Sequence, residues 1–275
     1  MKKIGGVIYY YGKKYKEIGR CAKNSFRKHH PDIALHHVGD HNKNLYDAQK
    51  RLKHVPMGAR KYMFALEIMK KNQYDKLIVL GADTITCDRL DEFLNDDRDV
   101  LVTLDYPYQL ETHRVKSPDD QTHVNADVVC FNNINVIVDI VKLAGYYPIY
   151  GEQGALNEVL WSGDYNYTHN IVDGPYDESK VVYNARAKGN ICAGPGEKPW
   201  GKFTNQFYVK DNKLFTGDHK QIKVWHYCDG FGTIGDSEFK SLINKWIFDW
   251  FNRETKTFFK EECDCGDFFE REFAF

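Results

Sequence analysis

The sequence predicts an α/β fold, a doubly wound sheet with helices on both faces, and three observations carry that expectation. Short apolar, β-prone segments alternate with segments whose apolar residues recur at helical spacing. One segment, Lys76 to Leu80 (KLIVL), is a continuous apolar run of the kind buried on both faces of a sheet. The chain is also large enough for a full core: 275 residues, 42% hydrophobic and 15% aromatic, would bury roughly three quarters of the surface of the extended chain.

In chain order, Ile4 to Tyr11 reads as the first strand, and Tyr15, Ile18, Ala22 and Phe26 mark one face of the helix after it. Ile33 to Val38, beyond Pro31, gives a second strand. A lysine-rich stretch leads to a helix carrying Tyr62, Ala65, Leu66 and Met69 on one face, and then to KLIVL. Val100 to Leu104 and Ala126 to Phe131 are further strands, joined by a polar loop with Pro107 and Pro118. A helix over Val136 to Ala144 and a short one over Glu152 to Leu160 follow. Beyond Asn170 the pattern loosens into loops and short strands, including GPGEKPWGKF at Gly194 to Phe203. The last helix is capped by Asp236 and places Phe239, Leu242, Ile243, Trp246, Ile247, Trp250 and Phe251 on one face. This divides the chain into a domain over residues 1–232 and a C-terminal helical extension over 233–275.

Lys and Arg number 38 against 39 Asp and Glu, so no general field favours DNA, RNA or an anionic membrane. No apolar stretch is long enough to span a bilayer, and the first residues return to lysine before a secretion-type segment forms. Seven scattered cysteines argue against a disulfide framework; Cys263 and Cys265 lack zinc-finger spacing. These features predict a cytoplasmic protein. The cluster from Lys43 to His54 and the pairs His29–His30 and His36–His37 read as solvated surface.

In open α/β sheets ligands bind beyond the carboxyl ends of the strands. Asp83 stands there, just past KLIVL, where a carboxylate can hold a divalent cation or can simply cap a turn. The surrounding IVLGADTITCDRLDEF resembles the metal-motif segment of GT-A fold nucleotide-sugar transferases, especially glycosyltransferase family eight. Four more segments resemble that family in the same order: the opening VIYYYGKKYKEIGRCAKNSFRKHHPDIALHHV, NADVVCFNN, the glycogenin-like turn GEQGALNEVL, and VVYNARAKGN followed by VWHYCDG. The resemblance covers roughly residues 4 to 232 and implies a mixed sheet. It also implies a glycosyltransferase acting with retention on a nucleotide-sugar donor, UDP-linked, and an acceptor that the sequence does not name.

Carried over residue by residue, the resemblance makes Asp83 and His226 ligands of Mn²⁺ or Mg²⁺. It places Tyr11 and Tyr15 at the uridine, Lys61 at the diphosphate, and Asn125 and Asp127 beside the donor. Glu152 and Gln153 face the sugar as catalytic residues. Bland readings stand beside these: core packing for Tyr15, a solvated charge for Lys61, a hydrogen-bonded core histidine for His226, and a dipole-favoured helix start for Glu152. Gly81 occupies the position of the family's first metal-motif aspartate. Two alternatives therefore accompany the metal-assisted reading: a metal-independent GT-A transferase, and a sugar-nucleotide-binding protein without turnover.

Overall fold

The computed structural model describes residues 2–10, 12–39, 57–104, 123–146, 151–173, 180–185, 207–211, 213–216 and 219–226. The expected C-terminal helix, the GPGEKPWGKF segment, the basic cluster from Lys43 to His54, the Cys263–Cys265 pair and Tyr11 lie outside them. Strand β1 (Ile4–Tyr10), helix α1 (Gly12–His29), β2 (Ala34–Gly39), α2 (Met57–Asn72), β3 (Lys76–Gly81) and β4 (Thr84–Thr86) form the first half. After them come α3 (Asp91–Asn95), β5 (Val100–Leu104), β6 (Val124–Phe131), α4 (Ile134–Tyr146), α5 (Gly151–Trp161) and β7 (His169–Ile171). Short strands close the described part: β8 (Val181–Val182), β9 (Phe207–Lys210), β10 (Lys213–Thr216), β11 (Gln221–Ile222) and β12 (Val224–His226).

The main sheet has the order β2-β1-β3-β6-β5-β7. Strand β1 runs parallel to both β2 and β3, β6 runs antiparallel to β3 and β5, and β7 lies parallel to β5. The period-two alternation of the central strands sorts their side chains between two cores. Leu77, Val79, Val129 and Phe131 join the layer built with α2, α4 and α5, through Tyr62, Phe64, Ile137, Ile140 and Leu156. Ile78, Leu80, Val128 and Cys130 face the other way, onto Ala22 and Phe26 of α1 and Phe93 of α3. KLIVL is buried at every position because both faces are covered.

Three histidines expected at the surface are enclosed or engaged, and the lysine that opens β3 is buried. His30 is fully buried rather than solvated: it continues the Ala22–Phe26 face of α1, packs on Phe26 and accepts the backbone N–H of Leu90 at Nε2 (3.2 Å). His36 and His37 are also engaged, His36 Nε2 with Tyr74 Oη at 2.9 Å and the His37 ring with Tyr10. Lys76 is buried completely, and its Nζ donates to the carbonyl oxygens of Phe93 (2.7 Å), Leu94 (3.0 Å) and Asp96 (2.7 Å). An ammonium at the carboxyl end of α3 satisfies carbonyls that the helix leaves unpaired.

A separate two-stranded pairing positions the site. Strand β12 runs antiparallel to β4, with His226 opposite Thr84, so a residue late in the chain is delivered beside the loop that ends β3.

Candidate active site and metal centre

Strand β3 ends at Gly81, and Ala82 and Asp83 form the turn into β4. Thr84 Oγ1 donates to the Gly81 carbonyl oxygen at 2.8 Å and closes the turn around Asp83. Asp127 arrives from the antiparallel neighbour. The pairing of β5 with β6 slips between Leu101 and Thr103, opposite Asp127, and such an irregularity bends a strand and re-aims its side chains. The start of β6 runs past the end of its pairing with β3, and amides of α5 take up its backbone groups there. Asn157 accepts the N–H of Val124 and donates to its carbonyl oxygen, both at 3.0 Å. Gln153 Oε1 accepts from Ala126 N (3.2 Å) and Asn125 Nδ2 (3.3 Å), and Asn125 Oδ1 accepts the Asp127 N–H (2.7 Å).

Asp83, Asp127 and His226 meet: one ligand atom from each lies within 4.8 Å of the others. His226 Nε2 is 3.4 Å from Asp83 Oδ1 and 3.9 Å from Asp127 Oδ2. The other ring nitrogen, Nδ1, is 2.8 Å from Asn184 Oδ1, and the Asn184 amide is oriented by its Nδ2 donating to the Leu104 carbonyl oxygen at 2.7 Å. Nδ1 is therefore the donor, and in a neutral ring Nε2 turns its lone pair toward two carboxylates. Groups held this close can share a cation, either a proton on Nε2 or a metal ion. Two carboxylates and an imidazole with a hydrogen-bonded outer partner form a donor set that fits a divalent ion.

Lys61, in the second turn of α2, stands behind this group. Its Nζ is buried, donates to Asp127 Oδ1 and lies 3.3 Å from Glu152 Oε1. Burial alone would lower the ammonium, but the carboxylates of Asp127 and Glu152 outweigh it and hold Lys61 above the ordinary lysine range. Glu152 occupies the first turn of α5, which Gly151 enters with a positive φ of 54°. A carboxylate there is favoured by the helix dipole.

The structure thus brings together Asp83, Asp127, His226, Lys61 and Glu152, with Asn125 and Gln153 bracing β6. Tyr15 lies within α1, and Tyr11 falls outside the described residues. Sequence reasoning did not single out Asn184, although it lies in the VVYNARAKGN segment. It also read Asp127 as a donor-side residue rather than as a neighbour of the metal pair.

No protein-family profile matches the chain, and no curated protein matches it in sequence. Among solved structures it is similar to the bifunctional glycosyltransferase WbbM in its apo form, at 13% identity and a TM-score of 0.59, over 100% of this chain and 52% of that one. The fold is that of the GT-A glycosyltransferases. This chain spans about half the length of WbbM. A second GT-A structure, an active-site mutant of LgtC, is similar at 12% identity and a TM-score of 0.50, over 92% of this chain and 95% of that one. At such identities the likeness establishes the fold, and the chemistry rests on the site.

Proposed function

We propose that this protein is a glycosyltransferase that moves a sugar from a nucleoside diphosphate, UDP, to an acceptor hydroxyl with retention at the anomeric carbon. The observation that carries this reading is the convergence of Asp83 and His226, contributed by β4's turn and β12, at the strand ends of a GT-A sheet. Asp83 and His226 are the residues that would hold the cation, and Tyr11 and Tyr15 would flank the uridine. A bound divalent ion supplies charge neutralisation for the departing diphosphate.

The protein's own groups do the rest. Lys61 offsets the charge of Asp127 and Glu152, so an anionic donor does not meet an uncompensated cluster of carboxylates. Gln153 and Asn125 fix the start of β6 through their own hydrogen bonds, which leaves the Asp127 carboxylate as the polar group of this strand that would face the donor. Glu152 stands at the sugar side, where a carboxylate stabilises positive charge developing at the anomeric carbon.

The catalytic unit is residues 1–232, with 233–275 as an extension. A cytoplasmic setting belongs to the same reading; among the described residues, Cys87 and Cys130 are free, buried thiols. Among the described residues no helix is long and apolar enough to cross a membrane. The test is a thermal-shift screen of nucleotide sugars with and without Mn²⁺, followed by transfer assays on the stabilising donor. A UDP-sugar should raise the melting temperature most when Mn²⁺ is present, and Asp83→Asn should abolish that increment. Stabilisation by another nucleotide alone would overturn the uridine assignment, and equal transfer by Asp83→Asn would reduce Asp83 to a turn residue.

A further inference from the structure

Gly81 is not among the glycines with positive φ, so its lack of a side chain serves space rather than backbone conformation. A Cβ built on it would lie 3.1 Å from both Cβ and Cγ of Asp127 and 2.9 Å from Asp83 Oδ1. The room that a side chain at 81 would need is taken by the Asp127 carboxylate. The two oxygens of that carboxylate face different partners: Oδ1 accepts from the buried Lys61 ammonium, and Oδ2 points at His226 Nε2.

We propose that Asp127 is the second carboxylate ligand of a divalent cation bound at Asp83 and His226, and that Gly81 is the clearance that admits it from the neighbouring strand. The carboxylate that completes the site is thus carried on β6 rather than on β3, and Lys61 anchors its non-ligating oxygen. This rests on the metal-assisted reading above and specifies which side chains build the centre. It also makes positions 81 and 127 reciprocal. Their Cβ positions are so close that a carboxylate projected from either one reaches the same space, whereas carboxylates at both crowd it.

The experiment is Mn²⁺ titration of the full chain without nucleotide, followed by electron paramagnetic resonance, alongside thermal melting. Four variants are compared with wild type: Asp127→Asn, Asp127→Gly, Gly81→Asp, and the exchange Gly81→Asp with Asp127→Gly. Asp127→Asn, which keeps shape and an oxygen for Lys61, should lose about tenfold or more in Mn²⁺ affinity. Gly81→Asp alone should melt earlier and bind Mn²⁺ less well, and the exchange should bind more tightly than Asp127→Gly. Wild-type affinity in Asp127→Asn, or no Mn²⁺ binding by the wild type, overturns the proposal. So does a folded exchange variant no better than Asp127→Gly; if the exchange variant does not fold, Asp127→Asn decides alone. Asp127-dependent Mn²⁺ binding without any UDP-sugar binding would sink the donor reading and leave this inference standing. Sugar transfer indifferent to Mn²⁺ and to Asp127→Asn would do the reverse.

Discussion

The Asn184 carboxamide oxygen accepts Nδ1–H of His226 across 2.8 Å, and the same amide donates to the Leu104 carbonyl oxygen. One side chain therefore fixes both the tautomer and the direction of the imidazole. Asn184→Leu should lower Mn²⁺ affinity by about 10- to 100-fold, the usual cost of removing an outer partner of a metal-ligating histidine. Asn184→Asp keeps the acceptor and should retain most of that affinity. A purely structural role would instead give parallel losses of melting temperature and no difference in Mn²⁺ affinity between the two variants, and titration with melting curves separates these outcomes.

Glu152→Gln preserves size and removes charge beside Lys61. If Glu152 acts on the transition state, kcat should fall by about 10² or more while donor affinity changes little. Glu152→Asp should keep much of the activity. A helix-start charge of structural value alone would show as a lower melting temperature at unchanged turnover.

His30 gives a stability signal remote from the chemistry. Burial first, and Arg89 second, lower its folded-state pKa from 6.5 to about 4, and its neutral Nε2 accepts the Leu90 N–H. The folded state thus binds this proton less readily than the unfolded chain. Its contribution is complete above pH about 6.5 and is lost as pH falls toward 4. Denaturant melts at several pH values should show that His30→Gln, compared with wild type, flattens the loss of stability within this window.

Lys76→Met should destabilise the protein by about 3 kcal/mol or more, because it strands the carbonyl oxygens of Phe93, Leu94 and Asp96 that the buried ammonium satisfies. Urea unfolding measures this directly. A change within about 0.5 kcal/mol would mean that water replaces the ammonium there.

The central strands and the helices between them were legible because their signals are local: KLIVL is apolar throughout, and the α2 face repeats within four turns. Strand β6 begins two residues earlier than the apolar pattern suggested, since Asn125 enters the ladder through side-chain partners that a pattern of apolar residues does not register. His30 carried a readable sign, its place four residues after Phe26, but polarity outweighed spacing in the reading. The Gly81–Asp127 relationship had no local sign. It depends on the antiparallel register of β3 and β6, in which Leu80 opposes Val128, and register is set by packing on both faces of the sheet.

Strand β12 reaches the site only by pairing with β4, and its last residue is the imidazole that faces Asp83. The centre is therefore a clasp between the early and late parts of the chain. Its ligand set cannot exist on a nascent polypeptide that stops short of His226, however well the parallel sheet has formed. An ion bound there would stabilise the docking of β12 through its bond to His226. Chelation should accordingly loosen that strand before the sheet, with amide exchange at Val224 to His226 rising ahead of exchange at Leu77 to Leu80.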